Sequence, residues 1–250
     1  MTAPTGAQGP VTLVVGGSSG VGAAVVRRLH ADGHRILATY HHHPERADAL
    51  AADLDSKRRR PVFVPGVLAD PGGPEGLVGQ AVALYGRLDS VVHCAAVIDT
   101  TRLDELTAAG FDNVLHTNVT AAFLLLRAAA MQPTMRAAVV ISSIAATFTG
   151  PDSAAYEASK AATSMLTRSL AAAYAPRVRI NAVAPGAVET ERSLADPGFP
   201  RAMLQGRIPL GRLAEPTDIA NVAAFLLGQD AAYLTGQVIT VDGGLSLKLT

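Results

Sequence analysis

Apolar positions along the chain fall into short unbroken runs separated by longer mixed stretches. The runs at 11–15, 35–40, 61–65, 90–93, 137–142, 179–184 and 238–241 are apolar and rich in β-formers, and they read as strands. They lack polar alternation, as strands covered on both faces do. The stretches between them, at 20–32, 44–54, 73–85, 111–131, 155–174 and 217–227, read as helices, the last with a start signal in Pro216-Thr217-Asp218. Strand followed by helix, repeated throughout, predicts an α/β fold: a doubly wound parallel sheet of about seven strands with helices on both faces. No internal repeat, low-complexity tract or linker divides the chain. Residues 11–250 are therefore expected to form one domain behind a flexible arm at 1–10. The segment 189–215 fits the alternation least, with Pro197, Pro200 and Pro209. It follows a strand end, where ligands bind in such sheets, so it is either a substrate lid or a plain surface loop.

Composition narrows the function. The 250 residues include 49% apolar residues, ample for a large core. Lys+Arg and Asp+Glu are both 21, a balance that argues against nucleic-acid or membrane-surface partners. The one basic run, 57–60, has no interleaved aromatics and reads as a solvated loop. Cys94 is the only cysteine, which excludes an intrachain disulfide and a cysteine-based zinc site. The first ten residues are polar and small, unlike a signal peptide, and no apolar run approaches 18 residues. A cytoplasmic protein is expected.

Two stretches carry chemistry. After the first strand, "GGSSGVG" leads from Gly16 to Gly22 directly into a helix. Glycines there permit a tight turn and let backbone amides approach a pyrophosphate at the helix N-terminus. Farther on, Tyr156 and Lys160 stand one helical turn apart. A cation about 4 Å from a phenol, at an effective dielectric near 20, favours the phenolate by roughly 4 kcal/mol. That is about 3 pKa units, so the pair is a candidate acid–base device, the alternative being a surface tyrosine packed on a lysine stem.

The spacing Gly16-x-x-x-Gly20-x-Gly22 together with Tyr156 and Lys160 resembles the short-chain dehydrogenase/reductases. Further matches are "TNVTAAF" around Asn118, "VVISSIAA" around Ser143, "RINAVAPGAVET" from Arg179 to Thr190 and "LTGQVITVDGG" ending at Gly244. The resemblance, closest in kind to 3-oxoacyl-carrier-protein reductases and similar ketoreductases, implies a Rossmann-type fold from about Val11 to Gly244. It implies Asn118, Ser143, Tyr156 and Lys160 as catalytic residues. Tyr156 would protonate a carbonyl oxygen as hydride reaches the carbon. Lys160 would hold the nicotinamide ribose and lower the tyrosine pKa. Ser143, rather than Ser142, would hydrogen-bond the same oxygen, and Asn118 would help hold Lys160 through ordered water. Preorganised donors of this kind suit a developing alkoxide.

The same resemblance implies cofactor contacts at Gly16, Ser18, Ser19, Gly20, Val21, Gly22, Tyr40, His41, Leu68, Ala95, Tyr156, Lys160, Pro185, Gly186, Val188 and Thr190. NAD-preferring relatives carry an acidic residue near the end of the second strand; here Tyr40 stands there, followed by His41, His42 and His43. With no carboxylate to repel a 2′-phosphate, NADP(H) is expected over NAD(H). A metal on the three histidines is disfavoured, because adjacent side chains at a strand end splay apart.

The pattern breaks at Val15, at Val67 and above all at "HCAA", His93 to Ala96, which replaces Asn-Asn-Ala-Gly. Cys94 reads as a small buried filler, and Ala96 is expected to lack glycine's backbone freedom. The leading reading is an NADP(H)-dependent reductase of ketones. The lid residues Phe199, Met203, Leu204 and Ile208, with Arg192, Arg201 and Arg207, suit an apolar or partly anionic substrate, such as an acyl thioester or a polyketide-like intermediate. Leu124 stands where carrier-protein reductases have a basic docking residue. A cofactor-binding regulator without turnover and an epimerase are the alternatives. By analogy the chain forms a homotetramer or homodimer through the helices near Phe111 and Ala155.

Overall fold

The structure, a computed structural model, describes residues 9–55, 60–66, 68, 70, 72–150 and 152–248. Most of the expected N-terminal arm, of the basic run at 57–60, and Val67 lie outside the described residues. Seven strands form one parallel sheet in the order β3-β2-β1-β4-β5-β6-β7: β1 (Val11–Val15), β2 (Arg35–Tyr40), β3 (Val62–Pro65), β4 (Ser90–His93), β5 (Ala137–Ile141), β6 (Arg179–Pro185) and β7 (Val238–Val241). The helices are α1 (Gly20–Ala31), α2 (Pro44–Asp53), α3 (Gly73–Tyr85), α4 (Ala108–Leu115), α5 (Ala121–Ala130), α6 (Ala154–Tyr174), α7 (Glu191–Ala195), α8 (Arg201–Arg207) and α9 (Pro216–Leu227). Strand order reverses between β1 and β4, where Val15 pairs with His93. The crevice beyond those two strand ends is where ligands of such sheets bind.

Two apolar layers hold the sheet. On one face Leu77 and Val78 of α3, Leu125 and Leu126 of α5 and Leu170 of α6 pack with Leu13, Val91 and Ile180. On the other, Val25 and Leu29 of α1 and Ile219 and Leu226 of α9 pack with Val14, Val92 and Val183. The inner strands lack polar alternation because they are buried on both sides, while the edge strands β3 and β7 are partly exposed. Helix ends follow their local chemistry. α1 stops at Gly33, whose φ of 90° lets His34 N–H return to the Leu29 carbonyl. α9 starts with Pro216 between the reciprocal caps Glu215 and Asp218.

Three expectations shift. The helix expected over 111–131 begins earlier, at Ala108, because the Thr107 hydroxyl accepts the Gly110 N–H. It is also broken by a π-helical turn at His116–Thr120. The segment 189–215 is not a bare loop: it holds α7 and α8, and Ile208 and Leu213 are buried with Leu245. Phe199 and Leu204 pack against that small cluster, so most of the apolar side chains expected to line a substrate serve to dock the segment. His41 and His42 do not splay; their ring centres lie 3.6 Å apart with the rings tilted 48° to each other.

Candidate active site

The glycine turn sits on a floor of backbone. Gly16 has φ of +79°, and its N–H goes to the Thr39 hydroxyl at 2.9 Å. A Cβ on Gly22 would lie 1.9 Å from the Gly16 carbonyl oxygen, so only glycine lets α1 rise directly out of the turn. Ser19, the residue before α1, supplies no side-chain cap. The Gly20 N–H instead meets the Glu191 carboxylate at 3.2 Å. An internal carboxylate thus stands at this helix N-terminus, as an anion such as a dinucleotide phosphate would. The turn fits the expected cofactor. Ser18 and Val21 are partly exposed on the same turn, and Tyr40 and His41 close β2 nearby, Tyr40 half-buried and His41 exposed. Leu68 turns its side chain into the core. The Ala95 N–H is tied to the Val15 carbonyl, and Ala95 backs Gly16. Gly186, after Pro185, packs on Asp242; Val188 bridges to Ala214; and Thr190 caps α7 by accepting the Ser193 N–H.

Beyond the ends of β4 and β5, Ser143, Tyr156 and Lys160 come together. The Ser143 hydroxyl, which accepts the Ala145 N–H at 3.1 Å, stands near enough to the Tyr156 phenol to favour its ionised form. Ser142, one residue earlier, points into the fold, toward Ser164 Oγ at 2.8 Å and the Lys160 carbonyl. The Lys160 ammonium lies 5.5 Å from the Tyr156 ring centre, within cation–π range, and donates to the Ile141 carbonyl at 2.8 Å. Burial brings its pKa down to about 8. The tyrosine departs from the expectation. Burial raises its pKa, opposed by the Ser143 hydroxyl and by the charge of Arg192. The charge that favours the phenolate here is that of Arg192, while the Lys160 ammonium is directed to a backbone carbonyl.

Asn118 lies in the π-helical turn, buried, and its side chain clamps a neighbouring loop. Oδ1 accepts from Val97 N–H at 2.8 Å, and Nδ2 donates to the Val97 carbonyl and to Ser159 Oγ, each at 2.9 Å. Ser159 in turn donates to the Tyr156 carbonyl at 2.6 Å. The Asn118 side chain is thus turned to the Val97 loop and Ser159 rather than toward Lys160. Ser159, Thr39 and Glu191 carry no sequence signal of their own.

The "HCAA" element costs less than its sequence suggests. Asp152 is the only described non-glycine with positive φ, so Ala96 occupies ordinary backbone and needs no glycine. Burial pushes the Cys94 thiol up to about 12, in keeping with an inert filler. His93 is buried, and its Nε2 has no hydrogen-bond partner among the described residues. A groove of about 970 Å³ runs along α1 from Ser18 and Gly20 to Arg46 and Asn221, and it contains none of Asn118, Ser143, Tyr156 or Lys160.

Comparison with known proteins agrees with this architecture. Residues 15–246 match the family described as enoyl-(acyl carrier protein) reductase. Over 237 residues the chain is 30% identical to a 3-oxoacyl-[acyl-carrier-protein] reductase of Staphylococcus aureus, covering 93% of this chain and 96% of that protein. It is 31% identical over 250 residues to L-rhamnose 1-dehydrogenase (NAD(P)(+)) of Sphingomonas sp., covering 97% and 98%. A short-chain dehydrogenase from Burkholderia cenocepacia, solved in complex with NADP, superposes with a TM-score of 0.89 at 31% identity, covering 96% of this chain and 99% of that one. Whole-length likeness, sheet order and glycine turn coincide: the chain belongs to the short-chain dehydrogenase/reductases and is an NAD(P)-dependent oxidoreductase of that family.

Proposed function

We propose that the protein reduces a ketone to a secondary alcohol with NADP(H), and that Tyr156 is the general acid. The observation that carries this reading is the buried Tyr156 phenol with Ser143 beside it and the Lys160 ammonium 5.5 Å from its ring centre. A carbonyl oxygen received between the two hydroxyls accepts one hydrogen bond from each. The nicotinamide, when bound, supplies hydride to the carbonyl carbon. Burial keeps the phenol protonated at neutral pH, as an acid working in the reductive direction needs. As charge develops on oxygen, Ser143 donates to it and Tyr156 releases its proton to the product alkoxide. Asn118 acts through Ser159 and Val97, holding the backbone beneath the tyrosine.

The absence of a carboxylate at Tyr40 and His41 and the NADP bound by the Burkholderia relative favour the phosphorylated cofactor. Exposed Met131 and Met165, at the ends or along the faces of α5 and α6, support self-association through those helices. Titration with NADPH and, separately, NADH, followed by nicotinamide fluorescence, tests the cofactor assignment. Tighter NADPH binding is expected; equal or tighter NADH binding overturns the preference. Tyr156→Phe is expected to bind cofactor as the parent does and to lose at least about 100-fold in ketone reduction, the usual scale of a proton-transfer contribution. A variant that keeps its turnover would remove Tyr156 from the acid role.

A further inference from the structure

The four arginines of the segment 189–215 have different fates, and Arg212 is held by Asp218 at 2.7 Å. Arg201 is held by Glu189 at 2.6 Å. Arg207 lies in the last turn of α8, where a cation suits the helix dipole. Arg192 has no carboxylate partner among the described residues. Among the described residues its one hydrogen bond runs from Nη2 to the Ile98 carbonyl at 3.2 Å, in the loop after β4. Four of the five guanidinium N–H donors are left over. Acids near Ile98 do not claim them: Asp99 accepts from Thr101 N–H, and Asp104 and Glu105 face Arg102.

Direction matters as much as availability. Neighbouring residues of a helix point about 100° apart. Glu191 reaches back to Gly20 at the phosphate end, so Arg192 is aimed at the other end, toward Ile98. Ile98 follows Val97, which Asn118 clamps on both its N–H and its carbonyl, so the far side of this span is a fixed backbone. The cation is near enough to the Tyr156 phenol for its charge to favour the phenolate.

We propose that Arg192 is a specificity-determining residue that binds an anionic group of the substrate, a carboxylate in the first instance, carried a few bonds from the carbonyl being reduced. The substrate class is then an oxo acid, reduced to the corresponding hydroxy acid, and this rests on the ketone-reductase reading above. A guanidinium with paired N–H donors presents the geometry that a carboxylate accepts in bidentate fashion. An acyl thioester without a nearby charge does not use this donor set.

The test compares 2-oxobutyrate, acetoacetate and levulinate with their ethyl esters, as substrates of the wild type and of Arg192→Met. With the wild type, at least one acid is expected to exceed its ester in kcat/KM. Arg192→Met is expected to lower that acid about 10-fold or more, the equivalent of one charge-assisted contact. The acid-to-ester ratio of kcat/KM is the readout, and an unchanged melting temperature of Arg192→Met is the folding control. Esters equal to or better than acids in the wild type, with both lowered alike by the substitution, would overturn the anion subsite and leave the reductase standing. Calorimetric titration of the protein with acetoacetate, with and without NADPH, separates the two ideas. Saturable binding lost in Arg192→Met without any turnover keeps the subsite and sinks the reductase. Neither binding nor turnover sinks both.

Discussion

At the scale of single residues, Lys160 sets the demands of the site against those of the fold. Its ammonium is buried with one backbone carbonyl as partner, and desolvation holds its pKa near 8 against an ordinary 10.5. Below pH 8 the lysine is charged in both the folded and the unfolded chain, so the cost of burying the charge is fully present. Between 8 and 10.5 the folded protein holds fewer protons than the unfolded one, and stability rises with pH as that cost disappears. The gap of 2.5 pKa units corresponds to about 3 kcal/mol. Lys160→Met is therefore expected to melt several degrees higher than the parent at pH 7, roughly 2–4 °C per kcal/mol for a chain this size, while losing activity. The advantage should vanish as pH passes from 8 to 10.5. Thermal unfolding of both proteins at pH 7 and pH 10 measures it; an advantage that does not change with pH would mean the lysine is not buried as a cation.

At the scale of elements, what the sequence showed and what it hid divide by range. Each strand and most helices are written in local pattern: unbroken apolar runs, Pro216 at a helix start, Gly33 just past a helix end. The elements came out within a few residues for that reason. The π-helical turn at Asn118 did not, because "NVLHTNVTAAF" reads as uninterrupted helix and only the demands of Val97 and Ser159, distant in sequence, make the turn pay. Tyr156 and Lys160 were legible as a pair, but their electrostatics were not: the pull of Ile141 on the ammonium and the reach of Arg192 to the phenol are tertiary facts. The same holds for α7, a five-residue element whose first residue blocks the glycine turn. Removing the Glu191 charge should ease entry of the cofactor phosphates. By the size of helix-dipole effects, 0.3–1 kcal/mol, Glu191→Gln is expected to bind NADPH about 2- to 5-fold more tightly. A fluorescence titration reads this directly, and unchanged or weaker binding would mean that the contact with Gly20 does not compete with the cofactor.

At the scale of the whole molecule, the sheet carries its least comfortable residue at its centre. β4 lies between β1 and β5, and His93 ends it, pairing with Val15 on one side and Val140 on the other. Burial, reinforced by the neighbouring Lys160 charge, brings the His93 pKa down to about 4 from an ordinary 6.5. At neutral pH the imidazole is uncharged in the folded and the unfolded chain, and nothing is lost. As pH falls from 6.5 to 4 the unfolded chain takes up a proton that the folded one refuses, so stability declines across that window. The full gap is again about 3 kcal/mol, a sizeable part of the 5–15 kcal/mol that holds an ordinary domain together. Because the strand is central, the loss cannot be confined to an edge: α3 and α5 pack on one face of the sheet and α1 and α9 on the other. Acid unfolding should be cooperative, with the glycine turn and the catalytic pair lost together. His93→Asn removes the titrating group and keeps a polar side chain at the strand end. Urea midpoints of parent and variant between pH 4 and pH 7 are expected to converge in slope above 6.5 and to separate below it, the variant holding its midpoint while the parent falls. Parallel decline of the two would place the acid sensitivity elsewhere, in the carboxylates of surface pairs such as Arg212–Asp218.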